Sequence, residues 1–298
     1  MKLVFSEAPP DYARYAFPYV VWGFPEAGET PADFFTAGFL PSSPQLDRFY
    51  LCRQLRVGLR AWQPTSENRR ILRKGGAIHC QLVPRADFEY HANRRAAWLD
   101  FAHERFGAGV MPGERLDRLM GAPVVSHLLH FQAAASGAEL GTVLLYLQPA
   151  RVAYYYFAFY DRSQRDNQLG MYLMTRAAEF FSQQGYAHLH LGTCYHERAL
   201  YKTQFSGVEY FTGWRWSSDL NALKSLVRHA PVTGHLLEDP DHPAGSGGKP
   251  ARSAAETCFR LPTAPPTPDA GTVDRTIINA APAIAGSTPP VFGLNPLE

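Results

Sequence analysis

The chain has 298 residues, of which 46% are hydrophobic and 19% charged, enough apolar material for one large core or two small domains. The formal net charge of +2 is close to neutral, so binding to nucleic acid would need a local basic patch. The four cysteines are widely spaced and form no CxxC pair, which excludes a zinc ribbon and a disulfide framework and fits a reducing cytosol.

Cap and break residues in the first 122 positions set the bounds of the expected elements. Pro64 ends a strand, Thr65 or Ser66 can cap the next helix, and Gly75-Gly76 can end that helix at positive φ. The expected elements are a helix at Pro31–Thr36, a strand at Tyr50–Trp62, a helix at Glu67–Lys74, a strand at Ala77–Val83, a helix at Tyr90–Phe106 and a short helix ending at Met120.

Apolar runs after residue 123 predict a meander of three strands, because Ser136-Gly137 and Gln148–Ala150 separate them as turns. A polar loop, Asp161–Gln168, then leads into a long helix that Gly185 ends. The expected elements are strands at Val124–Ala134, Leu140–Leu147 and Val152–Tyr160, a helix at Leu169–Gln184, a strand at Tyr186–Gly192, a helix at His196–Phe205, a strand at Val208–Trp216 and a helix at Ser218–His229.

This element order is the core order of a GNAT domain. The expected fold class is therefore α/β (α+β), a GNAT-like mixed sheet flanked by helices, with the earlier strand-helix segment as a candidate second copy in a duplicated arrangement. We expect an N-terminal region over 1–122, a GNAT-like transferase domain over 123–230, and a linker and tail over 231–298. The last segment is rich in Pro, Gly and Ala and buries too little apolar surface to offset its ordering entropy, so we expect it to be largely disordered.

The most informative local feature is the polar loop that enters the helix at Leu169-Gly170. A helix start presents unpaired backbone N–H groups and the positive end of the helix dipole, which favour a phosphate or a carbonyl that becomes an oxyanion. Gly170 would let a substrate approach the backbone closely. The segment RDNQLGM, from Arg165 to Met171, lacks the second small residue expected of a coenzyme A pyrophosphate loop.

Three short patterns carry a family resemblance: Leu169-Gly170-x-Tyr172, Leu191-Gly192-Thr193-x-Tyr195 and Tyr201-Lys202-x-x-Phe205. At these distances they resemble the C-terminal domain of the arginyl- and leucyl-tRNA–protein transferases, the N-end rule aminoacyltransferases with a GNAT-like domain. Tyr154-Tyr155-Tyr156 resembles the family's aromatic strand, and Ser66-x-x-Arg69-Arg70 resembles its basic helix. The family's N-terminal cysteine cluster has no counterpart here, and Leu40–Ser43 replaces its Arg-Arg-Ser-Gly segment.

The resemblance implies transfer of arginine or leucine from tRNA to the amine of a protein or peptide N-terminus. Aminoacyl-tRNA would then be a co-substrate, with no resident cofactor and no metal. The loop and the shared patterns together give a candidate substrate-binding set of Tyr155, Arg165, Gln168, Leu169, Gly170, Tyr172, Gly192, Thr193 and Tyr201.

The chemistry of aminoacyl transfer indicates which side chains to look for. The ester is already activated, so positioning and oxyanion stabilisation can carry most of the rate. The attacking amine must be neutral, and Asp161 and Glu197 are candidate proton acceptors. Lys202 is a candidate for neutralising developing negative charge, and Tyr195 for orienting a substrate.

A basic strip suggests a place for RNA. Eight basic residues and one acid lie between Arg48 and Lys74. Clustered arginines suit phosphate oxygens, and such binding is strongly salt-sensitive, although a solvated helix face explains the same pattern equally well. The candidate tRNA-binding residues are Arg53, Arg56, Arg69, Arg70, Arg73 and Lys74.

Two other functions fit the same residues: an acetyl coenzyme A–dependent GNAT N-acetyltransferase, and an inactive GNAT-like binding module. His188 and His190 share a strand face near His196, but a third metal ligand has no clear place, so packing explains them better. The first apolar run is too short for a signal peptide, and no window approaches the ~20 apolar residues of a membrane span. We therefore expect a cytoplasmic protein.

Overall fold

The computed structural model describes residues 1–7, 19–75, 77–107, 109–162 and 168–228. Its helices are α1 (Pro31–Thr36), α2 (Ser66–Lys74), α3 (Ala92–Phe106), α4 (Gly113–Met120), α5 (Leu169–Gln183) and α6 (Leu220–Arg228), with short 3₁₀ helices at Arg85–Asp87 and Glu197–Gln204. Its strands are β1 (Lys2–Glu7), β2 (Tyr19–Phe24), β3 (Phe39–Pro41), β4 (Phe49–Leu51), β5 (Gln54–Gly58), β6 (Ile78–Pro84), β7 (His127–Ala133), β8 (Glu139–Gln148), β9 (Val152–Tyr160), β10 (His188–Thr193), β11 (Val208–Phe211) and β12 (Trp216–Ser217).

The strands form two sheets. A small antiparallel sheet has the order β1-β2-β4-β3. The large sheet has the order β12-β11-β5-β10-β9-β8-β7-β6, and β6 to β9 form a continuous antiparallel series. The large sheet therefore takes β5 and β6 from the first 122 residues and its other strands from the later part of the chain. The expected mixed sheet flanked by helices is confirmed, and the elements from β7 to β11 follow the predicted order.

The only parallel pair among the described strands is β9 with β10, which α5 connects. The pairing is short, running from Val152 opposite His188 to Tyr154 opposite His190. Beyond that point β9 continues to Tyr160, while β10 stays paired on its other side with β5. A site can therefore form between the end of β9, the start of α5 and the end of β10.

Both faces of the large sheet are covered. Strand β9 shows this clearly, because Tyr155 and Ala158 pack into one apolar cluster with α5, whereas Phe157 and Phe159 pack into another with α3 and α4. Residues 157 to 159 alternate with the period of two that a strand buried on both faces requires. A register shift opposite Leu144 and Leu145 places Tyr155 and Ala158, three residues apart, in the same cluster. The described helices include none that is long and apolar enough to cross a membrane.

Helix α2 begins as its sequence predicts. The Oγ1 of Thr65 accepts a hydrogen bond from the backbone N–H of Asn68 at 3.2 Å, and the Asn68 side chain accepts one from the Thr65 N–H at 3.1 Å. This reciprocal cap satisfies two donors that the helix start would leave unpaired. The expectation that Gly75 ends the helix at positive φ is wrong, since its φ is −92°. Glycine is needed at this position because a Cβ would lie 2.0 Å from the ring of Tyr172.

Two expected strands are each divided in the structure. The strand expected over Tyr50–Trp62 is β4 followed by β5, which lie in different sheets and are separated by Cys52-Arg53. The strand expected over Val208–Trp216 is a hairpin of β11 and β12, because Gly213, at φ 109°, reverses the chain. The helix expected over His196–Phe205 is a 3₁₀ helix, and the tail expected after residue 231 lies outside the described residues.

Candidate functional site

A cavity of about 430 Å³ lies where α5 begins. Five segments of the chain supply its walls, and such a size suits a small ligand or the end of a larger one. The lining residues are Glu67 and Ile71 of α2, Arg105 of α3, Tyr160, Asp161 and Arg162 at the end of β9, Gln168, Leu169, Gly170 and Met171 at the start of α5, and Gln204 of the 3₁₀ helix. We call this the first cavity.

The start of α5 gives the first cavity its electrostatic character. Gln168 precedes the helix with left-handed backbone angles (φ 49°, ψ 42°), and its side chain makes no cap hydrogen bond to the helix. Gly170 follows in the first turn, and a Cβ placed there would lie 2.8 Å from Oη of Tyr160. Glycine therefore makes room for the Tyr160 ring at this point, and close approach of a substrate to Gly170 stays a prediction. The residues at the positive end of the helix dipole line the cavity.

Arginine side chains add positive charge to this wall. Arg105 and Arg162 both line the first cavity, and Arg162 also forms an ion pair with Glu104. Arg70 of α2 donates a hydrogen bond of 2.8 Å to Oε1 of Gln168 and another of 2.7 Å to Glu67. Guanidinium groups beside a helix start form a binding site for phosphate or for a developing oxyanion.

Asp161 lines the first cavity at the end of β9. Its backbone N–H donates a hydrogen bond of 2.8 Å to the carbonyl of Leu140, which fixes the main chain where the strand ends. Of the four candidate catalytic residues, Asp161 alone lines this cavity. A carboxylate here is placed to take a proton from a nucleophile that approaches the start of α5.

The other three candidate catalytic residues lie elsewhere. Glu197 is exposed and pairs with Arg228 at 3.2 Å. Tyr195 accepts a hydrogen bond of 2.8 Å from the Arg53 backbone N–H. Lys202 is completely buried, and its Nζ donates a hydrogen bond of 2.9 Å to the carbonyl of Thr193, the last residue of β10. Lys202 is therefore placed to hold the end of a strand rather than to contact a ligand.

The candidate substrate-binding residues divide into two groups. Gln168, Leu169 and Gly170 line the first cavity, whereas Arg165 lies outside the described residues. The others belong to the core around it, with Tyr155 and Tyr172 buried and Gly192 at φ 81°. Burial raises the pKa of Tyr155, Tyr172 and Tyr201 above the ordinary range, which keeps these phenols protonated. Thr193 is also buried.

Only part of the basic strip is exposed on the surface. On α2, Arg69, Arg73 and Lys74 are exposed and Arg70 is partly so. Arg56 is turned inward, because its side chain bonds to Glu209 at 2.8 Å and stacks on the Trp216 ring at 3.8 Å. Including Arg56 among exposed tRNA-binding residues is therefore wrong, since its guanidinium is already occupied. Arg53 is half-buried and lies over the ring of Tyr195.

Sequence patterns missed several residues of the first cavity. Arg105 comes from α3, more than 60 positions before the start of α5, and Gln204 and Glu67 come from two further segments. Arg162 lies within the polar loop, directly after Asp161, so the sequence could have indicated it. For the rest, only the tertiary packing brings them together.

The described residues contain no group of three His, Cys, Asp or Glu side chains that could hold a metal ion. His190 instead packs into the core, where its Nδ1 lies 2.9 Å from Oε1 of Gln54. Its ring contacts those of Phe35 and Trp216, with centroids 5.0 and 5.8 Å away. Burial lowers the pKa of His190 far below its ordinary range, so the imidazole is neutral at physiological pH.

Neither a family model nor a curated protein sequence matches this chain significantly. L-PGS from Bacillus licheniformis is similar at 10% identity, over 48% of this chain and 46% of that one, with a TM-score of 0.36. FemX is similar at 10% identity, over 58% and 56%, with a TM-score of 0.37. A GCN5-related glucosamine N-acetyltransferase region of a fungal multi-domain β-N-acetylglucosaminidase is similar at 10% identity, over 53% and 19%, with a TM-score of 0.34. The chain spans about half the length of the first two.

Proposed function

We propose that this chain is an acyltransferase that moves an aminoacyl group from tRNA to an amine. The observation that carries the proposal is the first cavity, where Asp161, the start of α5 and the guanidinium groups of Arg105 and Arg162 line one space. A proton acceptor and a positively polarised wall around a single cavity are what transfer from an activated ester to an amine requires.

The reaction can be written with these groups. The amine loses a proton to Asp161, and its nitrogen forms a bond to the ester carbonyl carbon. The carbonyl oxygen becomes an oxyanion that the N–H groups at the start of α5 stabilise. The bond from that carbon to the ribose oxygen then breaks, and the ribose oxygen leaves with the proton that Asp161 returns. The products are an amide and uncharged tRNA.

Helix α2 supports tRNA as the donor. Its Glu67 and Ile71 line the first cavity, and its Arg69, Arg73 and Lys74 are exposed along the same helix. A donor whose aminoacyl end enters the cavity would pass Arg70 and Lys74, which lie within about a quarter turn of Glu67 and Ile71 on α2, before its acceptor-stem phosphates reach Arg69 and Arg73 on the far side of the helix. The resemblance to the arginyl- and leucyl-tRNA–protein transferases adds arginine or leucine as the proposed aminoacyl group, and a protein or peptide N-terminus as the proposed acceptor.

A direct transfer assay tests this function. Each tRNA, charged with its radiolabelled amino acid, is incubated with the protein and with peptides that differ in their N-terminal residue, and labelled acetyl coenzyme A is tested in parallel. We expect label to move from aminoacyl-tRNA to peptide. Transfer from acetyl coenzyme A alone would replace the proposal with an N-acetyltransferase, and binding without any transfer would replace it with a binding module.

The tRNA surface has a separate test. The double substitution Arg69→Glu with Arg73→Glu should abolish tRNA binding at low salt. The control, Arg118→Glu with Arg215→Glu, makes the same change in net charge at exposed positions away from α2 and should retain binding. Equal binding by the two double variants would remove α2 from the proposed interface.

A further inference from the structure

A second cavity of about 470 Å³ adjoins the first. The two share Tyr160, Asp161 and Arg162, so this short segment forms their common wall. The other lining residues of the second cavity are Ala97, Trp98, Asp100, Phe101 and Glu104 of α3, Glu139, Leu140 and Gly141 of β8, and Phe159 of β9. The proposed reaction involves none of the residues that line only the second cavity.

Aromatic rings form one side of the second cavity. Trp98 stacks on Phe159 with ring centroids 4.6 Å apart and an interplanar angle of 6°. Phe101 meets Tyr160 edge-on, with centroids 4.8 Å apart. Trp98 and Phe101 are almost completely buried, so the rings are held rigidly by packing. Such a surface suits a hydrocarbon chain and, through the ring faces, a cation.

Carboxylates outnumber guanidinium groups on the remaining walls. Asp100, Glu104, Glu139 and Asp161 line the cavity, and Arg162 is the one lining cation among the residues that the structure describes. Arg162 pairs with Glu104, and Arg94 from outside the lining bonds to Glu139 at 2.9 Å. Asp100 and Glu104 are also four residues apart on α3, where two like charges repel unless a cation lies near them. The charge of the walls therefore favours a positively charged ligand.

The contrast between the two cavities suggests a division of roles. The first has a helix start and as many lining arginines (Arg105 and Arg162) as carboxylates (Glu67 and Asp161), whereas the second has aromatic rings and an excess of carboxylates. A negatively charged donor and a positively charged amine would therefore be directed to opposite sides of the Tyr160–Arg162 segment. The bound ammonium ion releases one proton to solvent and becomes a neutral amine, and Asp161, which lines both cavities, is placed to take the second proton as the nitrogen attacks the ester.

We propose that the second cavity binds the acceptor amine as an alkylammonium ion, with its hydrocarbon part against Trp98 and Phe101. The role of this amine as an acceptor rests on the proposed transferase function. The binding of an alkylammonium ion in the second cavity does not depend on any transfer. The ligand class is a primary amine on an aliphatic chain, as found in a lysine side chain. A peptide N-terminus offers the same charged group on a shorter stem.

Calorimetric titration of the full chain with pentylamine tests the binding. Pentanol is the matched neutral probe, with the same chain and no charge. We expect pentylamine to bind more tightly than pentanol, and its affinity to fall with added salt. Asp100→Asn should weaken pentylamine binding about threefold, and Asp100→Lys about tenfold or more. The controls Glu114→Gln and Glu114→Lys make the same charge changes at an exposed position of α4, and both variants should bind pentylamine as the unchanged chain does.

Equal binding of pentylamine and pentanol, or equal affinities in the Asp100 and Glu114 variants, would overturn the proposal. Three peptides then identify which amine the cavity prefers. Two contain no lysine and have either a free or an acetylated N-terminus, and the third has an acetylated N-terminus and one lysine. Transfer is measured separately. If amine binding depends on Asp100 but no transfer occurs, the proposed function alone is refuted. If transfer occurs and Asp100→Lys leaves the KM for the acceptor unchanged, the second cavity is refuted as the acceptor site.

Discussion

Nη2 of Arg70 lies 2.8 Å from Oε1 of Gln168, to which it donates a hydrogen bond across 98 positions of sequence. Gln168 immediately precedes α5 and has left-handed backbone angles, which cost a residue other than glycine some conformational energy. The bond therefore links the basic helix α2 to the residue that sets the entry into α5. The proposed tRNA surface on α2 and the geometry of the first cavity are thus physically connected.

Replacing Arg70 should affect the use of the donor more than the stability of the fold. In Arg70→Ala, Gln168 loses its partner and the rim of the first cavity loses a positive charge. We expect the KM for aminoacyl-tRNA to rise about fivefold, since an exposed charged contact contributes up to about 1 kcal/mol, with kcat little changed. Arg118→Ala, which removes an exposed arginine from α4, is the matched control. Identical KM values in the two variants would show that the contact has no part in donor binding.

Gly170 gives a test of close approach at the start of α5. A Cβ at this position would lie 2.8 Å from Oη of Tyr160, so Gly170→Ala requires that ring to move within the cavity. We expect about a tenfold loss in kcat/KM, in keeping with the cost of misplacing a substrate. The melting temperature should fall by only a few degrees, because the obstructing atom is the end of a side chain. Gly121→Ala, whose Cβ would meet its nearest neighbour at 3.6 Å, should leave both quantities unchanged.

Asp161 is the proposed proton acceptor, and its replacement separates catalysis from binding. Asp161→Asn keeps the shape of the side chain and should lower kcat by a factor of about 10² to 10⁴, the usual contribution of a general base. An acceptor amine of low pKa, which is already neutral at the assay pH, should recover part of this loss. Asp47→Asn, at an exposed position outside the cavity, is the control. A kcat unchanged in Asp161→Asn would exclude the residue from proton transfer.

Buried histidines on β10 should make the fold sensitive to acid. Burial, with a smaller effect of Arg56, lowers the pKa of His188 from 6.5 to about 4, and burial lowers that of His190 well below 6.5. Between these values the unfolded chain binds protons that the folded chain does not, so the free energy of unfolding should decrease as pH falls from 6.5 toward 4.

Urea unfolding at two pH values, about 7 and about 5, measures this dependence. His188→Gln should reduce the difference in the free energy of unfolding between the two conditions. His79→Gln, at an exposed position of β6, should leave it as it is. An equal loss of stability on acidification in both variants would mean that the charge state of His188 does not determine it.

The elements that local residues define could be predicted from the sequence. Thr65 and Asn68 cap α2 by contacts within one turn, and Gly185, at φ 75°, follows the end of α5 as expected. The meander of β7, β8 and β9 also follows the apolar runs. In each case the determining interaction joins residues close in sequence, or a period that a short window reveals.

Interactions between distant segments explain what could not be predicted. The run from Tyr50 to Trp62 has the composition of one strand. The chain nevertheless passes from β4 in the small sheet to β5 in the large sheet, where β5 pairs with β10 and β11. Arg56 reads as part of a basic surface, but Glu209 and Trp216, more than 150 positions away, cover its guanidinium. Arg105 enters the first cavity only because α3 packs against the sheet beside β9. No local pattern encodes any of these partners.

In the proposed complex, the first cavity holds the aminoacyl end of the donor. Photo-crosslinking tests it most directly, with tRNA charged with an amino acid that carries a diazirine, followed by mass spectrometry of the crosslinked peptides. We predict crosslinks to 168–171 at the start of α5 and to Ile71 or Gln204, and their loss when uncharged tRNA or unlabelled aminoacyl-tRNA competes. Crosslinks confined to the small sheet of β1 to β4, or unaffected by competitor, would contradict the claim.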